Sequence, residues 1–255
     1  MTCNPSPLTR FPIRILFLVV FLLAPKVALA EDKKPASDAV TPAPRKDRTG
    51  KEDKGWMNRH ERFLARARQG NVEVLFLGDS ITQGWEGNGK QVWKERYEPL
   101  HAANFGIGGD RTQHVLWRLR EGKELEGIHP KVVVLMIGTN NTGSNSPEDI
   151  TAGITAIVQE LGMQRPDAKV LLLGVFPRSP KASDKIRDKI KDINERIAKL
   201  DDGKQVRYLD IGDKFLEKDG SLSKEIMPDY LHLSPKGYTI WADAIQPSLD
   251  EMLKK

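Results

Sequence analysis

The chain has 255 residues, 39% hydrophobic and 29% charged, with 21 glycines and 16 prolines. This composition is that of a globular protein and excludes collagen-like, coiled-coil and polytopic membrane classes; the length allows one or two domains. Lys and Arg number 40 against 35 Asp and Glu, a net charge of +5. Arg10, Arg14 and Lys26 lie in the first 30 residues, which hold no acid, so the rest is close to neutral and gives little support to nucleic-acid binding. Cys3 is the one cysteine, which excludes a disulfide scaffold and a Cys-rich zinc site.

The first segment reads as an address. Arg10 and Arg14 precede an unbroken apolar run over 15–24, Pro25 and Lys26 interrupt it, and Ala28-Leu29-Ala30 follows. This is the pattern of a signal peptide cleaved after Ala30, with an uncleaved anchor as the alternative. The run is too short to span a bilayer, which takes about 20 residues, so no stable membrane insertion is expected after cleavage. No cysteine follows the cleavage point, so a lipoprotein is not expected. The expected location is the periplasm or the extracellular space. Residues 31–54 mix charges of both signs with prolines and almost no large apolar side chain, and read as a disordered linker. The remaining domain is assigned to 55–255.

From Gly55 the pattern alternates. Residues 56–68 have helical spacing, with Trp56, Phe63, Leu64 and Ala67 on one face. Strands are expected at 72–77, 101–105, 132–137, 170–175 and 206–209, and further helices at 91–97, 112–121, 146–163, 185–200 and 234–253. Ser146-Pro147 and Ser234-Pro235 place an N-cap serine before a proline at the first helical position. Strands apolar on both faces and separated by helices imply parallel βαβ units. The expected fold is a single α/β domain, a three-layer α/β/α sandwich around a five-stranded parallel sheet. In such sheets ligands bind outside the carboxyl ends of the strands, so residues just after strands are the functional candidates.

Four such loops carry reactive groups. Gly78-Asp79-Ser80-Ile81-Thr82 places Ser80 at the start of a helix, where its own N–H faces an incoming oxyanion; a plain N-cap is the alternative. Residues 104–110 hold Gly106, Gly108 and Gly109, whose N–H groups can form an anion-binding nest, with a structural turn capped by Asp110 as the alternative. Arg111 stands where a dinucleotide fingerprint needs its third glycine, so a nucleotide reading is weak. Gly138-Thr139-Asn140-Asn141 offers a side-chain amide to an oxyanion or serves as a turn. Asp229 precedes His232 by a spacing that lets the carboxylate reach the imidazole. Of the five histidines, His101 and His129 precede strands, His60 precedes the first strand and His114 sits on a helix flank. His232 alone combines a loop position with an adjacent acid. A nucleophile, a base, an orienting acid and oxyanion donors at one sheet edge are the parts of a serine esterase. The G-x-S-x-G elbow of the α/β-hydrolases is absent.

These four blocks, GDSIT at 78–82, the glycine loop at 104–110, GTNN at 138–141 and DYLH at 229–232, resemble those of the SGNH or GDSL hydrolases. The resemblance implies a flavodoxin-like sandwich with Ser80 as nucleophile, Asp229 and His232 completing a triad, and an oxyanion hole from Ser80 N–H, Gly109 N–H and the Asn140 amide. NFGIGGDRTQHVLWRL at 104–119 and DYLHLSPKGYT at 229–239 are most similar to the branch of the platelet-activating-factor acetylhydrolase Ib catalytic subunits. In that branch the neighbours of the Ser and the His shape a small acyl pocket, which implies Ile81 and Leu231 as acyl-side contacts; Thr139 is a further candidate substrate contact. Arg111 is a candidate for an anionic substrate group, with a surface ion pair as the alternative. Trp85 and Trp93 are expected in the core rather than stacked on a sugar, and 176–178 is expected to line the cleft.

The leading expectation is an exported serine ester hydrolase removing short acyl groups, acetyl above all, from carbohydrate, with an acylated small molecule or polysaccharide as its partner. The alternatives are a phospholipid acetylhydrolase or lysophospholipase, and a non-catalytic carbohydrate-binding protein. No cofactor, metal or nucleic-acid partner is implied; a homodimer is left open.

Overall fold

The computed structural model describes residues 1–4 and 37–254; the leader expectation for 1–30 falls largely outside them. Five strands form one parallel sheet: β1 Val74–Gly78, β2 Ala102–Gly106, β3 Val132–Met136, β4 Lys169–Leu173 and β5 Val206–Leu209. Their order is β2-β1-β3-β4-β5, so the chain starts in the interior of the sheet and winds outwards in both directions. Gly78 pairs with Gly106 on one side and Met136 on the other, so these strand ends lie along one edge. The loops holding the candidate residues leave from that edge.

Side-chain alternation gives each face of the sheet its own core. Leu75, Leu77, Val133, Leu135, Val170 and Leu172 point to one face. There they meet α1 Lys54–Arg68, α4 Thr112–Arg120, α5 Pro147–Gln164 and α6 Lys185–Ile197. The alternate residues Val74, Phe76, Val134, Met136 and Leu171 face α7 Pro235–Leu253 and the short α2 Ser80–Gln83. Trp85 and Tyr238 lie 4.6 Å apart between ring centres and Trp85 and Trp241 lie 5.0 Å apart. Trp93, after the start of α3 Lys90–Arg96, is 5.1 Å from Phe76. Trp85 is a core residue, as expected, and Trp93 is partly buried against the same cluster.

Ser146 caps α5 through a hydrogen bond from Asp149 N–H, and Ser234 caps α7 through one from Gly237 N–H. The first helix buries Trp56, Phe63 and Ala67 as expected and departs from expectation in its other members. Leu64 is half-buried, while Arg59 and His60 are buried. Both are matched to partners: Arg59 Nε donates to Gly106 O at 2.7 Å and His60 Nδ1 meets Glu124 Oε1 at 2.7 Å.

The expected disordered linker over 31–54 is also corrected over 37–53, which belongs with the folded unit. Ala39 is fully buried and its carbonyl accepts from Thr112 Oγ1 at 2.8 Å. Asp38 accepts from Asn145 Nδ2 at 2.5 Å, and Ala43 N–H donates to Gln113 O at 3.2 Å. The segment lacks large apolar residues, but its backbone and carboxylates satisfy polar groups on α4 and the 138–145 turn. Composition sees the missing apolar area and not the polar sites waiting on the domain.

Candidate active site

Ser80, Asn140, Asp229 and His232 come together at the carboxyl edge of the sheet. Ser80 Oγ lies 2.9 Å from His232 Nε2, and His232 Nδ1 lies 2.6 Å from Asp229 Oδ2. A carboxylate only accepts, so Nδ1 carries the proton it shares with Asp229. Nε2 of the neutral ring is then the acceptor for the Ser80 hydroxyl. Asp229 Oδ1 accepts from the N–H groups of His232 at 2.7 Å and Leu231 at 3.1 Å. The spacing of the acid and the base closes this small loop, with Tyr230 at its tip in the left-handed region at φ 59°. Against the partial desolvation of Asp229, hydrogen bonds from the His232 ring and from the two N–H groups hold its carboxyl below the ordinary carboxylate value. The His232 and Asp229 side chains are 43% and 56% exposed, so the base is open to a ligand from solvent.

Ser80 is not the helix cap. Asp79 takes that place, its Oδ1 accepting from Ile81 N–H at 2.9 Å. Its carboxyl is fully buried with Oδ2 unbonded, and desolvation pushes its pKa up to about 7. Ser80 is left as the first helical residue. No acceptor among the described residues takes its N–H.

The glycine loop is a turn in which Asp110 N–H donates to Ile107 O at 3.1 Å. Gly109, at φ 81°, occupies the third position, where a left-handed residue marks a type II turn. Gly106 has to be glycine for another reason: an added Cβ would collide with the Thr82–Gln83 backbone. Gln83 Oε1 accepts the Gly108 N–H at 2.7 Å, while the Gly109 N–H has no acceptor among the described residues. Asn140 Nδ2 donates to Asp110 O at 2.8 Å. An amide nitrogen carries two hydrogens, so one remains available. The backbone N–H groups of Ser80 and Gly109 and the second Asn140 hydrogen are therefore donors awaiting an acceptor.

Asp110 does not cap the turn, as one reading had it; it is buried beneath it. Trp56 Nε1 donates to its Oδ1 at 2.6 Å, and Arg118 Nε approaches Oδ2 at 3.1 Å, off the hydrogen-bonding angle. Arg118 Nη1 in turn bonds Glu124 at 3.0 Å, which holds His60. Burial pushes Asp110 up to about 7, opposed by the Arg118 charge. The adjacent Asn141 is fully buried and ties the turn to α4. Its Oδ1 accepts from Thr112 N–H at 3.0 Å and its Nδ2 donates to Thr112 Oγ1 at 3.2 Å.

The expected substrate contacts fall differently. Ile81 is 1% exposed and Leu231 is partly buried; both belong to the apolar cluster on the α7 side of the sheet. Thr139 is 1% exposed, and its Oγ1 accepts from Arg178 Nη1 at 3.4 Å. Thr139, Asn140, Arg178 and Asp229 line a cavity of about 570 Å³ beside the Ser80–His232 pair. Arg111 makes a 4.0 Å ion pair with Asp38, both side chains reaching solvent, which is the surface role weighed for it. His114, one turn on, accepts from Arg111 N–H at 3.1 Å; burial and the nearby Arg45 charge depress its pKa to about 4. Asp79, Asn141 and Arg118 are site-supporting residues that local pattern does not single out, because their partners lie on other elements.

A serine–imidazole–carboxylate relay beside unmet donors on this sandwich defines a hydrolase of the SGNH type. The family model described as "GDSL-like Lipase/Acylhydrolase family" matches residues 76–240. Platelet-activating factor acetylhydrolase IB subunit alpha1 of Bos taurus is 43% identical over 226 residues, covering 88% of this chain and 93% of that one. The chain belongs to the GDSL-like lipase/acylhydrolase family and is a carboxylic ester hydrolase. Among solved structures, a GDSL-like lipase from Bacteroides thetaiotaomicron superimposes with a TM-score of 0.61 at 20% identity, covering 76% of this chain and 98% of that one. An acetylxylan esterase from Geobacillus stearothermophilus does so with a TM-score of 0.57 at 19% identity, covering 73% and 96%. At these identities the two structures bear on the fold alone.

Proposed function

We propose that the protein is an acetyl-ester hydrolase in which Ser80 is the nucleophile, His232 the general base and Asp229 its orienting acid. The observation that carries this is the continuous relay Ser80 Oγ–His232 Nε2 at 2.9 Å and His232 Nδ1–Asp229 Oδ2 at 2.6 Å, set beside three unmet hydrogen-bond donors. Ser80 Oγ attacks the acyl carbon as its proton passes to Nε2, and Asp229 stabilises the imidazolium. The carbonyl oxygen becomes an oxyanion received by Ser80 N–H, Gly109 N–H and the Asn140 amide. Collapse expels the alcohol, which takes the proton from His232 and leaves an acyl-serine. Water then attacks that ester by the same route and releases the acid.

Leu231, partly buried next to the base, is the branched apolar side chain left on the acyl side, which favours acetyl over long acyl groups; Ile81 is buried and only backs the nucleophile loop. The identity to platelet-activating factor acetylhydrolase subunits over most of both chains supports an acetylated phospholipid-type alcohol as the ester. A second reading, an acetylated carbohydrate hydrolysed after export, is favoured by the basic and apolar pattern of the first 30 residues. The test measures acetate release from a 2-acetyl phospholipid and from an acetylated xylooligosaccharide, with dodecanoyl esters beside them. Higher kcat/KM for the acetyl phospholipid, lost in Ser80→Ala, is expected. Preference for the dodecanoyl ester refutes the acyl assignment, and preference for the sugar ester selects the second reading. N-terminal sequencing of exported protein checks cleavage after Ala30; a start at Met1 rejects it.

A further inference from the structure

The strap over 37–53 delivers one cation to the glycine loop. Arg45 Nη1 donates to the carbonyl of Gly108, while its Nε and Nη2 each lie 2.9 Å from Asp53 Oδ2. Asp53 is itself fixed, because its Oδ1 caps α1 by accepting from Trp56 N–H at 3.0 Å and its N–H donates to Arg45 O at 3.0 Å. The Arg45 head is thus tied at one end to the start of a helix and at the other to a single peptide group.

That peptide group is the one whose N–H belongs to Gly109. A trans peptide is planar, with its C=O and N–H pointing in opposite directions, so whatever fixes the Gly108 carbonyl also aims the Gly109 N–H. The need for fixing is specific to this turn. The Gly108–Gly109 peptide is the central unit of the 107–110 turn, and type I and type II turns differ by a flip of that unit. Glycine on both sides makes the flip sterically cheap. A flip would turn the Gly109 N–H away from the position it takes here and put a carbonyl dipole in its place. A guanidinium on the carbonyl opposes the flip and also polarises the amide, which strengthens its N–H as a donor.

We propose that Arg45 is a positioning residue for the reaction: it holds the Gly108–Gly109 peptide in the orientation that presents Gly109 N–H to the oxyanion. The inference rests on the roles proposed above for Ser80 and Gly109. Arg45 touches no substrate and acts only through this peptide. The strap that carries it is held independently at its far end, where Asp38 bonds Asn145 at 2.5 Å and Ala39 O accepts from Thr112.

The experiment uses the full chain with p-nitrophenyl acetate, comparing wild type, Arg45→Ala, Arg45→Lys, Asp38→Asn and Ser80→Ala. Removing one oxyanion donor outright costs about 10²–10³ in kcat, and a donor left free to flip costs part of that. Arg45→Ala is expected to lower kcat about 10–100-fold with KM within about twofold, as for a contact felt only in the transition state. Its affinity for an alkylboronic acid, which forms a tetrahedral adduct on the serine, falls in parallel, and added guanidinium at millimolar concentration restores part of kcat. Arg45→Lys, which keeps the charge and perturbs the strap less, is expected to lose about 3–10-fold. Wild-type-like kcat in both variants overturns the proposal. So does an equal kcat loss in Asp38→Asn, which would assign the effect to strap packing rather than to the Gly108 contact. Ser80-independent cleavage in the wild type would remove the underlying reading as well, whereas Ser80-dependent cleavage indifferent to Arg45 removes this inference alone.

Discussion

Asp79→Asn gives a test of the nucleophile loop that needs no substrate. The Asp79 carboxyl is fully buried, accepts at Oδ1 from the Ile81 N–H at 2.9 Å, and has no partner at Oδ2. Desolvation, reinforced by the Asp110 charge, raises its pKa from 3.8 to about 7. The sign follows from proton binding. The folded chain holds the proton more tightly than the unfolded chain, so the stability is fully present below about pH 4 and is lost as pH rises to about 7. Each pH unit in that window costs about 1.4 kcal/mol, and the loss levels off near 4 kcal/mol above it. Asparagine keeps an oxygen for Ile81 and carries no charge at any pH. Urea unfolding of both proteins at pH 5, 6, 7 and 8 measures the difference. The variant should gain about 3 kcal/mol on the wild type between pH 5 and pH 8, and nothing further above that. Asp110 titrates in the same range and its charge acts on Asp79, so the difference between the two curves includes the coupling of the pair. Parallel stability curves across this range would refute the reasoning, because they would mean that Asp79 is solvated or ionised in the folded protein.

Asn140→Ala removes the side-chain donor and should lower kcat on p-nitrophenyl acetate by about 10²–10³ while leaving KM within about threefold; steady-state kinetics decide it. Asp229→Asn replaces the acceptor that fixes the His232 tautomer and should cost about 10³–10⁴ in kcat at neutral pH, measured in the same assay. Arg118→Met leaves Asp110 and Glu124 buried without their cation and should destabilise the fold by about 3–5 kcal/mol in urea unfolding at pH 8.

The elements were legible in the sequence wherever hydrophobic period and punctuation agreed. The strand at 206–209 and the serine–proline starts of the helices at 147 and 235 stand where the pattern puts them. The parallel sheet follows from strands such as 132–136, apolar on both faces. The edge on which the candidate residues meet follows from the rule for strand ends, and the Ser80, His232 and Asp229 side chains meet there. What local pattern missed is long-range and polar. Leu64 looked like core and is half-buried, while Arg59 and His60 share the inward face with Trp56, Phe63 and Ala67; their partners are Gly106 and Glu124. A plain cap was the alternative for Ser80, but the residue before it, Asp79, is the one that accepts the Ile81 N–H. Arg45 sits in a stretch that reads as solvated charge, and nothing local to it reveals a carbonyl 63 positions away.

The most direct test of the account is the rate of p-nitrophenyl acetate hydrolysis by the wild-type chain and by Ser80→Ala, with peptide mapping of the serine labelled by a fluorophosphonate. The account predicts turnover that falls by several orders of magnitude in the variant, and a label on Ser80 alone. Equal turnover in the two proteins, or a label on another residue, would contradict it.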